Sequence, residues 1–271
     1  GALPQSTLGY EKLFNWGLAA EDEEIFVRQV LAGQPEPPAY FARMKRINGE
    51  GPPLLGAFPR PERLASEGVA ELLKTAVVVD LRPADAHAAE HIPGTLGIPL
   101  NRSFPNWAGS LLPYDRDLYL LLADTPGRVE EAVRDLALIG LDRVRGYFGA
   151  EAVGEWAAAS GRETESFARR SPAETTGALA RGEVAMVDVR GRAEWEAGHI
   201  PGAVHIPLGE LAGRTDELPR DLPLVVHCQG GGRSAMGASL LLSLGVREVA
   251  DLAGGFSGWK AAGGPTASAR G

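Results

Sequence analysis

The 271 residues contain one cysteine, so its surroundings decide what it can do. Cys228 ends an apolar run, Leu224-Val225-Val226-His227, and precedes Gln229-Gly230-Gly231-Gly232-Arg233-Ser234 and a helical pattern over 234–244. Three glycines let the backbone curl until successive N–H groups point at one centre. The helix that begins near Ser234 adds unpaired N–H groups and the positive end of its dipole. Gln229, Gly230, Gly231, Gly232 and Ser234 are therefore expected to form an anion cradle around the Cys228 sulfur. Such a field lowers a thiol below the ~8.5 of free cysteine and favours the nucleophilic thiolate. Arg233 supplies a permanent cation for an anionic substrate or intermediate. A cysteine alone is more often a small buried hydrophobe. Set between a buried strand and this helix entry, Cys228 reads as a nucleophile, with Arg233 as its catalytic partner.

The elements that position this loop are legible from a repeat. Segment 77–100, VVVDLRPADAHAAEHIPGTLGIPL, matches segment 185–208, AMVDVRGRAEWEAGHIPGAVHIPL, at a separation of 108 residues. Asp80 aligns with Asp188, Arg82 with Arg190, His91 with His199, and Ile-Pro-Gly follows each His. Two copies of one domain of about 100 residues are expected. Each copy reads as α/β. A short apolar strand (77–79; 184–187) ends in Asp, and a polar turn, a short helix and the His-Ile-Pro-Gly corner follow. A second strand (118–122; 224–226) leads through a loop into a helix (129–139; 234–244), and a third short strand follows. This spacing favours a mostly parallel sheet flanked by helices. Ser171-Pro172-Ala173-Glu174 offers a capping box with proline at the first helical position, and the polar run 160–170 reads as a linker.

Loop size narrows the chemistry. Four residues separate Cys228 from Arg233, against the five of cysteine phosphatases, whose wider ring holds a tetrahedral phosphate. A tighter ring suits one extra sulfur held on the thiolate as a persulfide. Cys228-x-x-Gly231-x-Arg233-Ser234 resembles the active-site loop of rhodanese sulfurtransferases. Glu194-Trp195-Glu196-Ala197-Gly198-His199-Ile200-Pro201-Gly202-Ala203 and Gly254-Gly255-Phe256-Ser257-Gly258-Trp259 resemble that family's other two signatures. The resemblance is strong over 173–262 and weaker over 61–156. It implies two rhodanese-like domains, the second carrying a sulfane sulfur from thiosulfate or a persulfide to a thiol or cyanide through a Cys228 persulfide. No cofactor or metal is expected in this chain. The implied partners are small sulfur-containing anions and low-molecular-weight thiols.

Copy one departs from the pattern at its decisive place. Asp124 stands where the nucleophile would be, and only three residues separate it from Arg128. A carboxylate cannot carry a persulfide, and its charge would repel the anion a cradle attracts. Copy one is expected to be inert and to wall one side of the copy-two site. His91 and His199 recur in both copies, which favours structural hydrogen bonding. Asp80 and Asp188 are expected to cap a turn or pair with a nearby Arg. Strand alternation sets His227 on the face opposite Cys228, and Trp195 and Trp259 read as core.

The remaining 60 residues begin with an amphipathic helical pattern over 10–31, broken near Ala20. A proline-rich stretch follows, with Pro35, Pro37, Pro38, Pro52, Pro53, Pro59 and Pro61, and reads as an extended connector. The runs STLGYEKLFNW and FVRQVLAGQPEPPAYFARMKRINGEGPPLLG resemble the end of a metallo-β-lactamase-fold module of the persulfide-dioxygenase-like kind. That resemblance implies that the chain is the C-terminal part of a longer protein, with such a domain as an upstream partner. Three parts are thus expected: an arm over 1–60, a rhodanese-like domain without catalytic Cys over 61–160, and a catalytic one over 170–271.

Composition bounds the alternatives. Against 27 basic side chains stand 35 acidic ones, a net −8 that argues against nucleic acid or an anionic membrane as main partner. One cysteine makes no intramolecular disulfide, and a cytoplasmic setting is the default. A sulfurtransferase is the first reading. A sulfur-relay or binding module serving an upstream persulfide dioxygenase domain is the second. An arsenate reductase or phosphatase comes third, disfavoured by the short loop.

Overall fold

The apolar runs that end in Asp80 and Asp188 each become a central strand of a separate parallel sheet. A computed structural model of the chain describes residues 5–32, 34, 37–38, 40–52, 54–123, 125 and 127–268. Among these, the first sheet contains β1 (Glu62–Arg63), β2 (Val77–Asp80), β3 (Leu96–Gly97), β4 (Leu118–Leu122) and β5 (Val144–Gly149). The second contains β6 (Arg169–Arg170), β7 (Ala185–Asp188), β8 (Val204–His205), β9 (Leu224–His227) and β10 (Val249–Leu252). Their orders, β1-β5-β4-β2-β3 and β6-β10-β9-β7-β8, are equivalent. All ladders between these strands are parallel, so helices carry the chain from one strand to the next.

The described residues divide into two units, 1–36 and 37–271. The first holds α1 (Leu8–Phe14), a 3₁₀ turn (Trp16–Leu18) and α2 (Glu23–Leu31). The break expected near Ala20 falls between the 3₁₀ turn and α2, where side chains divide the helical stretch. Asn15 Oδ1 accepts from Gly17 N at 3.0 Å and Asp22 Oδ1 from Ile25 N at 2.8 Å, each opening a new turn.

In the second unit, α3 (Tyr40–Glu50), α4 (Val69–Thr75), α5 (Ala84–Ala89), α6 (Phe104–Leu111), α7 (Arg128–Leu138) and α8 (Ala152–Ser160) accompany the first sheet. The second sheet has α9 (Pro172–Ala180), α10 (Arg192–Ala197), α11 (Gly232–Ser243) and α12 (Gly255–Ala261). α3 overturns the expectation of an irregular connector. Its eleven residues contain no proline, so the prolines around it delimit the helix instead of breaking it. Tertiary contacts then fix it: Arg43 lies 4.3 Å over the Tyr114 ring, and Tyr40 fills the space where Gly109 has no Cβ.

Strand alternation sorts the core. Val79, Leu120, Val187 and Val226 share one hydrophobic cluster with Ala238 and Leu241 of α11, so the two α/β halves are packed together. Their neighbours turn the other way: Val78 and Leu121 join Phe148 and Trp156 in one outer cluster, Met186 and Val225 join Trp259 in another. The linker 160–170 is tied to both halves. Phe167 N donates to Ala88 O at 2.9 Å in the first half, and β6 pairs with β10 in the second. Among the described residues no helix is long and apolar enough to cross a membrane.

Candidate functional site

Cys228 is the first residue beyond β9, the middle strand of the second sheet, and only 2% of it is exposed. The chain turns at Gly231, whose φ of +104° is strained for any residue with a Cβ, and enters the twelve-residue α11. Gly231 N donates to Cys228 Sγ at 3.1 Å, and Ser234 Oγ lies 3.5 Å from the same sulfur. The sulfur therefore sits at the positive end of α11 with two polar hydrogens beside it. Gly230, Gly232 and Arg233 line the cleft onto which it opens.

A second helix holds the loop from behind. Phe256 N and Ser257 N, in the first turn of α12, donate to Cys228 O at 2.7 Å and Gln229 O at 3.0 Å. Gln229 is a brace: its Oε1 accepts from Arg190 Nη1 at 3.2 Å, and its Nε2 donates to Ser257 Oγ at 2.8 Å. The expected cradle thus divides into groups at the sulfur (Gly231, Ser234), groups along the cleft (Gly230, Gly232, Arg233) and one support (Gln229).

Arg233 has a partner that the spacing argument did not supply. Its Nη1 and Nη2 donate to Glu194 Oε2 and Oε1 at 2.6 and 2.7 Å. Glu194 Oε2 also accepts from Gly191 N at 3.1 Å at the start of α10. The bidentate pair clamps the entry of α11 to α10, so Arg233 positions the loop as well as lending charge. Hydrogen bonding to Arg233 holds the Glu194 carboxyl below the usual carboxylate range. An acid depressed in the folded state stabilises above its ordinary pKa and loses that contribution as pH falls through its folded one. Glu194→Gln is accordingly expected to cost about 1 kcal/mol at pH 7 and to flatten the acid limb of stability below about pH 4. Urea midpoints at pH 7 and pH 3.5 check both; an unchanged gap between the two would contradict the clamp.

The shared Asp and Arg build one latch twice. Asp188 Oδ1 accepts from Arg190 N at 2.9 Å, and Arg190 Nη2 reaches Gly198 O at 2.7 Å. Asp80 Oδ1 accepts from Arg82 N at 3.0 Å, and Arg82 Nη2 reaches Glu90 O at 2.7 Å. Burial works against the charge on Asp80, yet His87 and Arg82 hold its carboxyl below the usual range. The repeated histidines close helix ends, His91 Nδ1 on His87 O at 2.8 Å and His199 Nδ1 on Trp195 O at 3.1 Å. His227 is fully buried against Phe256, and desolvation depresses its imidazole to about 4. A neutral ring held there is a poor acceptor for the thiol proton near pH 7. Trp259 is fully buried and donates to Pro265 O at 2.8 Å; Trp195 stacks on His199 at 3.7 Å.

Two polar connections tie the site to the first half. Ser239 of α11 accepts from Gly97 N at 2.7 Å and lies 2.9 Å from His87 Nε2, while His87 Nδ1 lies 2.9 Å from Asp80 Oδ2. With Nδ1–H donating to the carboxylate, Nε2 accepts the Ser239 hydroxyl and every member is satisfied. Arg169 bridges Asp85 of α5 and Asp251 of β10, the latter at 3.0 Å. Burial pushes the Asp251 carboxyl up, against the pull of the Arg169 guanidinium. Glu194, Asp251 and Arg169 were missed by sequence reasoning. Asp251 did leave a signal, an acid inside the apolar run Val249-Ala250-Asp251-Leu252.

The cleft before Cys228 measures about 630 Å³. Its far wall belongs to the first half, with Leu81, Pro99, Leu100, Trp107 and Arg128. Asp124 lies outside the described residues. Arg128 opens α7 as Arg233 lies in the first turn of α11, but Ala86 stands where the second half has Glu194. Arg128 pairs instead with Glu131 at 2.7 Å on its own half-exposed turn and donates to Leu100 O at 2.9 Å. Such a surface pair is worth at most about 1 kcal/mol.

Residues 171–262 match the family of rhodanese-like domains. Over 92 residues the chain is 36% identical to thiosulfate sulfurtransferase GlpE of Pseudomonas syringae pv. syringae, covering 34% of this chain and 87% of that protein. It is 42% identical over 74 residues to the uncharacterized protein YqhL of Bacillus subtilis, covering 27% of this chain and 59% of YqhL. Two further curated relatives are spanned over 38% and 40% of their length. The chain is also similar to a solved metallo-beta-lactamase from Staphylococcus aureus subsp. aureus COL, at 35% identity over 55% of this chain and 41% of that one, with TM-score 0.42.

Proposed function

The chain belongs to the rhodanese family, and from that premise we propose that it moves a sulfane sulfur through a persulfide on Cys228. Thiosulfate or a persulfide is the donor, and a thiol or cyanide the acceptor. The observation that carries this reading is the sulfur itself, held at 3.1 Å from Gly231 N and 3.5 Å from Ser234 Oγ at the start of α11.

In the first step the Cys228 thiolate attacks the outer sulfur of thiosulfate. The S–S bond of the donor breaks, its electron pair leaves on sulfite, and the transferred sulfur becomes the terminal anion of a persulfide. In the second step the acceptor attacks that terminal sulfur, and the pair of the breaking bond returns to Cys228 Sγ. The Gly231 N–H and the Ser234 hydroxyl are placed to stabilise the thiolate at both ends of the cycle. Both displacements conserve electron pairs, so neither step calls for an oxidant or reductant.

The first α/β half is, in this reading, a rhodanese-like domain that has lost its nucleophile and serves as a wall of the site. An upstream metallo-β-lactamase-fold partner and a cytoplasmic setting complete the proposal. Steady-state turnover of thiosulfate and cyanide to thiocyanate by the purified chain tests it. Turnover is expected with no hydrolysis of an aryl phosphate. Phosphate release without thiocyanate would overturn the reading in favour of a phosphatase.

A further inference from the structure

The cleft before Cys228 is larger than the sulfur chemistry requires. At about 630 Å³ it has the size of pockets that enclose whole organic ligands, roughly 300–1,000 Å³. Thiosulfate, with five heavy atoms, fills a small part of it. The wall contributed by the first half combines apolar surface, Leu100 and Trp107, with one guanidinium, Arg128.

The two arginines of the cleft are unequally committed. Arg233 is locked to Glu194 through both terminal nitrogens, which satisfies its charge and fixes its plane. Arg128 has no counterpart of Glu194, because Ala86 occupies that position. Arg128 meets Glu131 and Leu100 O through one nitrogen each, without the bidentate grip that holds Arg233. Glu131 is a half-exposed neighbour three residues along the same helix, so a ligand anion can compete with it for Arg128. One available guanidinium beside an aromatic and aliphatic wall matches a monoanionic carboxylate at the end of an organic chain. A phosphate dianion calls for more than one such cation.

Resting on the sulfurtransferase reading, we propose that this wall binds the body of the sulfur acceptor. The acceptor is a low-molecular-weight thiol carrying a carboxylate remote from its sulfur, and Arg128 is the residue that selects it. The thiolate of this ligand attacks the terminal sulfur of the Cys228 persulfide. A new S–S bond forms on the ligand, the bond to Cys228 Sγ breaks, and its electron pair stays on Cys228 as thiolate. The first half then sets which thiol is served, and the second half performs the transfer.

The test uses the full chain, loaded with sulfur by thiosulfate and then freed of donor. Discharge of the extra sulfur is followed by intact mass with two acceptors, glutathione and glutathione esterified at both carboxylates. The wild type is expected to favour the free acid about tenfold or more in kcat/KM, the range of a charge-assisted hydrogen bond. Arg128→Gln is expected to bring that preference to within about twofold of unity, and Arg128→Lys to keep part of it. Comparing two acceptors on one protein cancels any general loss of activity. A wild type indifferent to esterification, or a preference that survives in Arg128→Gln, would overturn the proposal. A wild type that loads no sulfur at all would instead overturn the sulfurtransferase reading beneath it.

Discussion

Cys228→Ser is expected to reduce thiosulfate:cyanide turnover by on the order of a thousandfold or more while the fold survives. A serine hydroxyl is far from ionised near neutral pH, and among the described residues only Gly231 N and Ser234 Oγ meet the Cys228 sulfur. His227, the nearest imidazole in sequence, is buried against Phe256 on the other face of the strand and depressed to about 4. An oxygen at this position also forms no stable analogue of the persulfide, so neither half of the cycle proceeds. Packing should change little, because Ser is smaller than Cys and its oxygen can accept the Gly231 N–H that now meets the sulfur. Near-unchanged far-UV circular dichroism with turnover gone is the predicted pair of readings. Turnover within tenfold of wild type would remove Cys228 from the mechanism.

Gly255→Ala should act as strongly by a different route. Gly255 has φ +56°, and a Cβ there would stand 2.4 Å from Cys228 O and 2.9 Å from the Gln229 carbonyl carbon. Both neighbours are backbone atoms of the active loop, so no flexible side chain can yield. The left-handed conformation costs a residue with Cβ about 1–2 kcal/mol, and forced overpacking adds about 1–3 kcal/mol. The loop relieves the clash only by moving away from α12, which breaks the Phe256 N bond to Cys228 O and shifts the sulfur out of its cradle. We expect a loss of about 2–5 kcal/mol in urea unfolding, with sulfur transfer reduced more steeply than stability predicts. Gly231→Ala, strained at φ +104° but meeting nothing nearer than the Arg169 guanidinium at 3.4 Å, should be milder. Equal effects at the two glycines would contradict this account of how the loop is braced.

Much of this site is local in the sequence, and that part was legible. Cys228, Gly231 and Ser234 lie within seven consecutive residues, so strand, turn and helix entry can be read as one motif. The capping box at Ser171 and Glu174 is of the same kind, and forms with Ser171 N donating to Glu174 Oε2 at 3.0 Å. What escaped is long-range. Glu194 meets Arg233 across 39 residues, and Ser239 meets His87 across 152; nothing in local spacing pairs them. The edge strands β1, β6, β3 and β8 are two residues long, too short to carry a period. α3 was hidden because prolines on either side dominated the composition of a stretch whose middle contains none. The cleft itself exists only because two halves pack face to face, a property of the shared core and not of either motif.

The central claim is that Cys228 carries the transferred sulfur, and intact mass spectrometry tests it most directly. Wild-type chain incubated with thiosulfate and freed of donor should gain the mass of one sulfur atom, and cyanide should remove it. Cys228→Ser treated identically should gain nothing. A wild type that stays at its original mass, or a Cys228→Ser chain that takes up a cyanide-labile sulfur, would contradict the account.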